Sequence, residues 1–178
     1  MARGGTSHDR ILNAAAELAV SEGAAHLSLD AVAARAGVSK GGLLYNFPNK
    51  AALMQGLVER FIELFRSEIE ESAGEGHAGR LAPTYLSIVL RNLDEKLPRS
   101  SGLLAVLAEN PCMMEPVKAF HRDLLDRLLD EASDPGAVLV LFMVLEGLRA
   151  QRLLGTDILE PEERNILLVR INSLLGEE

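Results

Sequence analysis

The sequence predicts an all-α protein of about nine helices. Three observations point there. Apolar residues recur at helical spacing along most of the chain, and no stretch alternates as a strand would. Ser28, Ser39 and Asn49 each stand directly before such a pattern, where helix caps belong. Pro98, Pro111, Pro135 and Pro161 fall at helix starts or between helices. There is no internal repeat.

The elements follow in order. A first helix begins after Ser7, carries Ile11, Ala14, Ala15, Leu18 and Ala19 on one face, and stops at Gly23. Ser28 caps a second, running to Ala36 with Val32, Ala33 and Ala36 inward. Ser39 caps a short third helix. Asn49 caps a long fourth, from Lys50 to Ser72, with Leu53, Leu57, Phe61, Leu64 and Phe65 on one face. Gly74-Glu75-Gly76 breaks the chain. A fifth helix runs to Leu97 with Pro83 in its first turn. Further helices are expected near 101–109, 115–132, 134–154 and 161–175.

Composition narrows the function classes. The chain has 178 residues, enough for one large domain or two small ones, and 48% are apolar. Aromatics make up 4% and Trp is absent, so the core is mostly Leu, Ala and Val. A single cysteine, Cys112, excludes an internal disulfide and a multi-cysteine zinc site. Together with an N-terminus that lacks the apolar core of a signal peptide, it fits a cytoplasmic protein. The run Ala137 to Leu145 is too short to span a membrane and reads as a buried helix.

Net charge is −8, which by itself argues against nucleic acid. The distribution says otherwise. Residues 1–50 carry five basic and four acidic groups, and residues 51–178 carry 13 basic and 22 acidic. The asymmetry suggests two tasks in two segments: a domain over residues 1–50 that touches a polyanion, and a domain over 51–178 that does something else.

Residues 29–47 have the dimensions of a helix-turn-helix, with Gly37-Val38-Ser39 as the turn. Gly37 can take the left-handed conformation that a tight turn after a helix needs. Gly41 and Gly42 then stand in the first turn of a short helix, where each costs roughly 0.5–1 kcal/mol against alanine. In such a unit the second helix enters the major groove by its N-terminal end, where a bulky side chain would hold the backbone off the DNA. Two glycines there serve close approach. They are also common in loops that merely end a helix.

These features resemble the DNA-binding domain of the tetracycline-repressor (TetR-type) family of bacterial transcription regulators. The matching residues are Ile11-Leu12, Ala14-Ala15, Leu18 and Gly23, then Leu29, Val32-Ala33 and Ala36-Gly37-Val38-Ser39, then Gly41, Leu43 and Phe47-Pro48-Asn49-Lys50 with Leu53. The resemblance implies an N-terminal three-helix DNA-binding domain followed by a helical effector and dimerisation domain. It implies DNA contacts at Ser28, Ser39, Lys40, Gly41, Gly42, Tyr45, Asn46 and Lys50. Lys40 and Lys50 would supply charge; the hydroxyl and amide groups would supply neutral hydrogen bonds. The chain departs from the family at Leu44, where Tyr is frequent, at Asn46, where His is frequent, at Gly42, which replaces Thr, Ala or Ser, and at Ala24, where an aromatic is frequent.

The partners so implied are a palindromic double-stranded operator, a second copy of the chain joined through helices near 134–154 and 161–175, and a small-molecule effector, with no membrane. A largely apolar effector pocket is expected from Phe61, Phe65, Tyr85, Asn92, Met113, His121, Phe142 and Glu146, with Arg149 a further inward polar group. Asn92, Glu146 and Arg149 interrupt apolar faces and need partners, either each other or a ligand. His121, among Val117, Leu124 and Leu128, reads as a core histidine rather than a metal ligand, and Cys112 as a small apolar residue. No spacing of nucleophile and base, phosphate loop or metal cluster appears, so neither an enzyme nor a cofactor is expected. The alternative is a helical ligand-binding or adaptor protein that does not use its DNA-binding unit.

Overall fold

The computed structural model describes residues 6–22, 27–73, 80–94 and 113–175, and no strand occurs among them. They form eight helices: α1 (Ser7–Glu22), α2 (Leu29–Ala36), α3 (Lys40–Asn46), α4 (Lys50–Ala73), α5 (Leu81–Asp94), α6 (Met114–Asp130), α7 (Pro135–Leu154) and α8 (Pro161–Leu174). The helix expected near 101–109, the break at 74–76, the stop at Gly23 and Cys112 lie outside the described residues. The chain divides into two compact units. One comprises Met1–Leu64 with Arg99–Lys118, the other Phe65–Pro98 with Ala119–Glu178.

In the first unit, local chemistry sets each helix end. α1 is capped by Thr6, not by Ser7. The Thr6 hydroxyl accepts from the Asp9 amide at 3.2 Å, and the Asp9 carboxylate accepts from the Thr6 amide at 3.1 Å. This reciprocal pair satisfies two otherwise orphaned donors. Ser28 Oγ accepts from the Ala31 amide at 3.1 Å and starts α2. Gly37, at φ 64°, ends it; the amides of Gly37 and Val38 donate to Ala34 and Ala33. Ser39 Oγ accepts from the Gly42 amide at 3.0 Å and starts α3, and Asn49 Oδ1 accepts from the Ala52 amide at 2.8 Å near the start of α4.

The core of this unit is apolar. Ile11, Ala15, Leu18, Val32, Leu43, Phe47, Leu53, Met54 and Leu57 are buried, with Val38 packed at its margin. α4 lies close because it offers a glycine. A Cβ on Gly56 would stand 2.8 Å from the Phe47 ring and 3.3 Å from Leu12. Further along α4, Leu64 is exposed against expectation, although Ile69 on the same helix is buried.

In the second unit, Ile69, Leu81, Tyr85, Ile88, Val89, Leu124, Leu128, Leu141, Leu145 and Ile171 form the core. Asp134 caps α7 by accepting from the amides of Gly136 and Ala137, Pro135 takes the first helical position, and Gly155 at φ 66° ends it. Glu160 and Glu163 cap α8 reciprocally. The apolar run of α7 is not buried all round, as its sequence suggests. Ala137, Val138, Leu141 and Leu145 point inward, while Leu139, Val140 and Met143 are exposed, Met143 at 67%. α8 repeats this: Ile171 is buried, Ile166 and Val169 are exposed. No helix among the described residues is long and apolar enough to cross a membrane.

Candidate nucleic-acid interface and effector site

The residues expected at DNA lie at the caps and outer side of the helix-turn-helix. Ser28, Ser39, Lys40, Gly41 and Tyr45 are exposed; Gly42, Asn46 and Lys50 are half-buried. Tyr45 is 91% exposed, so it is not a core aromatic. Leu43, two positions before it, is fully buried and anchors α3. Lys40 reaches back to Asp30 on α2 at 2.9 Å, a contact that sequence reading missed. Asn46 donates from Nδ2 to the Gly42 carbonyl at 2.8 Å, and so folds against its own helix.

The two glycines of α3 are not required by the backbone. Among the described residues only Gly37 and Gly155 have positive φ. A Cβ on Gly41 would meet nothing within 4 Å, and one on Gly42 only Ser39 Oγ at 3.3 Å. Neither conformation nor packing within the chain explains both glycines.

The second unit brings together six of the polar and aromatic residues singled out from sequence. Glu146 of α7 is the hub. Its Oε1 accepts from Tyr85 Oη at 2.6 Å and from Arg149 at 2.6 Å, and His121 Nε2 lies 3.4 Å from its Oε2. The Arg149 guanidinium lies over the Phe65 ring, 4.5 Å from its centroid. Phe142 stacks on Tyr85 at 5.7 Å, and Phe120 meets Phe65 edge-on at 5.9 Å. Glu146 and Arg149 are each other's partners, one helical turn apart. Phe120 joins them unannounced by any pattern beyond its place on the apolar stripe of α6.

Phe61 and Met113, expected in the same pocket, fall in the first unit, Met113 at the margin of its apolar core. Asn92 is half-buried on α5, seven residues beyond Tyr85, or about 10 Å along the helix axis. The second unit also carries a half-open cavity of about 320 Å³ between Leu93 of α5, the end of α7 and the start of α8, with Arg152 and Arg164 in its wall.

Electrostatics fix the protonation of the cluster. Burial pushes the Tyr85 phenol well above its ordinary range, and Glu146 pushes it further, so it remains a donor. Burial would raise the Glu146 carboxyl, but Arg149, His121 and the hydrogen bonds from Tyr85 and Arg149 outweigh it and hold the group below its usual value. Burial, helped by Arg149 and opposed by Glu146, lowers the His121 imidazole. Burial works against the Arg149 charge, and Glu146 more than restores it. At neutral pH the site is therefore a carboxylate, a guanidinium, a neutral imidazole and a phenol. Among the described residues no group of His, Cys, Asp or Glu could hold a metal.

A helix-turn-helix with an exposed second helix, joined to a separate helical unit with a partly buried polar site, defines a DNA-binding transcription regulator with an effector domain. Residues 11–57 match the model for bacterial regulatory proteins of the tetR family, and residues 79–176 match that for a tetracycline-repressor-like C-terminal domain. The chain belongs to the TetR family. Solved structures agree in fold. SCO7518 of Streptomyces coelicolor A3(2) is 25% identical, with 96% of this chain and 99% of that one covered at a TM-score of 0.72. SCO1917, a TetR-family member from Streptomyces coelicolor A3, is 24% identical over 94% and 98%, at 0.73. The multidrug-binding protein EbrR, crystallised with malachite green, is 24% identical over 94% and 98%, at 0.70. Comparison with the curated proteins finds no match.

Proposed function

We propose that the protein is a cytoplasmic, homodimeric repressor that leaves a palindromic operator when a small, largely apolar molecule binds its effector domain. Residues 1–50 contact DNA in this reading, and residues 51–178 bind the effector and dimerise. The protein acts by binding rather than catalysis. The observation that carries it is the Glu146 cluster: a carboxylate, guanidinium, imidazole and phenol drawn together among three phenylalanine rings, in a unit whose core is otherwise aliphatic. Polar groups placed at this desolvation cost suit a ligand site. EbrR's capture of malachite green and ethidium supports a ligand with an aromatic body.

Lys40 and Lys50 grip phosphate, Ser28, Ser39 and Tyr45 donate to it, and Gly41 and Gly42 let α3 approach the groove. Asn46 spends one amide hydrogen on the Gly42 carbonyl and keeps a second N–H and its Oδ1 for DNA. A ligand shifts operator occupancy only by its differential affinity for the two states of the protein. Dimerisation is supported by the exposed apolar residues of α7 and α8, Leu139, Val140, Met143, Ile166 and Val169, with Gly147 open beside them. Selection of bound sequences from a random DNA pool should return an inverted repeat. Light scattering should give twice the chain mass at micromolar concentration, and Met143→Lys or Ile166→Lys should halve it. A monomeric parent protein that selects no sequence would overturn the reading.

A further inference from the structure

The structure places a cation inside its own candidate effector site. Arg149 is held by the Glu146 carboxylate at 2.6 Å and by the face of Phe65 at 4.5 Å. Phe142, Tyr85 and Phe120 complete the aromatic surround. A planar, charge-delocalised group between a carboxylate and an aromatic face is bound by the two forces that recognise an organic cation. We propose that Arg149 is a tethered occupant of a subsite for a flat aromatic cation, and that such a ligand binds by taking its place against Glu146 and Phe65. This rests on the reading that the Glu146 cluster is the effector site.

The arrangement makes the exchange feasible. Arg149 and Glu146 keep 21% and 20% of their side-chain surface in contact with solvent, so the pair is not sealed from water. Its long stem allows the charge to remain hydrated while the chain backbone stays put. Glu146 would not be left bare, since the incoming cation replaces the departing one. Tyr85 and His121 hold the carboxylate during the exchange and bring no positive charge of their own. A neutral or anionic ligand would instead leave the buried carboxylate unpaired. Affinity for a cation is lowered by the fraction of time Arg149 occupies the place, so removing the plug must tighten binding.

The test is a fluorescence titration of the full-length protein, without DNA. The probes are proflavine, a planar ring system that is cationic at neutral pH, and acridine, which shares the ring and is mainly neutral there. Arg149→Met keeps the stem and removes the charge. It should bind proflavine roughly tenfold more tightly than the parent. Glu146→Gln should bind it roughly tenfold more weakly, and the double variant should lose the gain. Acridine should respond little to either change. Where Arg149→Met loses its helical circular dichroism, Arg149→Lys replaces it, and its weaker stacking should give a smaller gain in the same direction. If both probes bind alike, lose affinity in Phe142→Ala and ignore Arg149, the site takes ligands but the cation subsite is wrong. If neither probe binds any variant, both the subsite and the effector reading beneath it fall.

Discussion

The two units of this protein handle polar groups in opposite ways. In the first, every residue of the buried core is apolar, and the groups assigned to DNA are exposed or half-buried. In the second, a carboxylate, a guanidinium and an imidazole sit partly withdrawn from water among aromatic rings. Surface placement suits a polyanion, which brings its own charge and needs only donors at fixed positions. Withdrawal suits a small molecule, whose few polar groups count for more where water is scarce. Half-burying an ion pair in one unit, while the other keeps an apolar core and polar groups nearer water, suits the two kinds of recognition proposed.

The sharpest way to break that contrast is at the surface of the first unit. Gly42→Leu should lower operator affinity by at least about a hundredfold, because a branched side chain meets the groove where the backbone must approach. Its melting temperature should change little. Helix propensity gains up to about 1 kcal/mol, while the new Cβ presses on the Ser39 cap at 3.3 Å. Gly41→Leu has no neighbour to press on and should show the same loss with a small gain in stability. A DNA titration beside a melting curve on each preparation decides it; operator binding at the parental level would refute the groove-facing helix.

Gly56 gives the opposite signature. Gly56→Ala puts a methyl group 2.8 Å from a buried Phe47 ring. Overpacking of this kind costs about 1–3 kcal/mol, against a propensity gain of about 1 kcal/mol. The net loss should appear in denaturant melts of the whole chain, with DNA affinity falling only as the folded fraction falls.

A smaller effect comes from pH. His121 is held below its ordinary value near 6.5, so the unfolded chain takes up a proton that the folded chain refuses. Stability therefore falls as pH drops from about 6.5 through the folded value, and falls again below the ordinary value of 4.5 as the depressed Glu146 carboxyl titrates. His121→Gln should flatten the first decline and keep the second. Melting temperatures between pH 7 and 5 that decline equally in both proteins would contradict this.

The smallest change is expected at Lys50. Lys50→Ala should weaken operator and random DNA alike, and lower the slope of log affinity against log salt by about one. A changed base preference with an unchanged slope would show that Lys50 reads bases.

The first unit was largely legible in the sequence because its signals are local. Ser28, Ser39 and Asn49 act on amides three residues away, and Gly37 acts on its own φ. The exception is Thr6, overlooked because Ser7 stood nearer the apolar stripe, although the decisive signal was Asp9 three residues after Thr6. Gly56 was also missed, since its reason is a ring nine residues away. The second unit was legible in composition and not in assembly. Tyr85 and Glu146 lie 61 residues apart, and nothing in the periodicity pairs them. Phe61 and Met113 share the apolar spacing of true cluster members and still fall in the other unit. The exposed half of α7 looks buried in sequence, because it is as apolar as the half that faces the core.

The Lys40–Asp30 contact has a kinetic corollary. In the free protein this lysine already holds a carboxylate on its own surface. If Lys40 takes phosphate as proposed, it must give up Asp30 to do so, which weakens that contact on any DNA sequence. The pair is exposed and weak, so the operator's full set of contacts easily outbids it. Asp30→Asn should then lengthen the protein's dwell on random DNA more than on its operator.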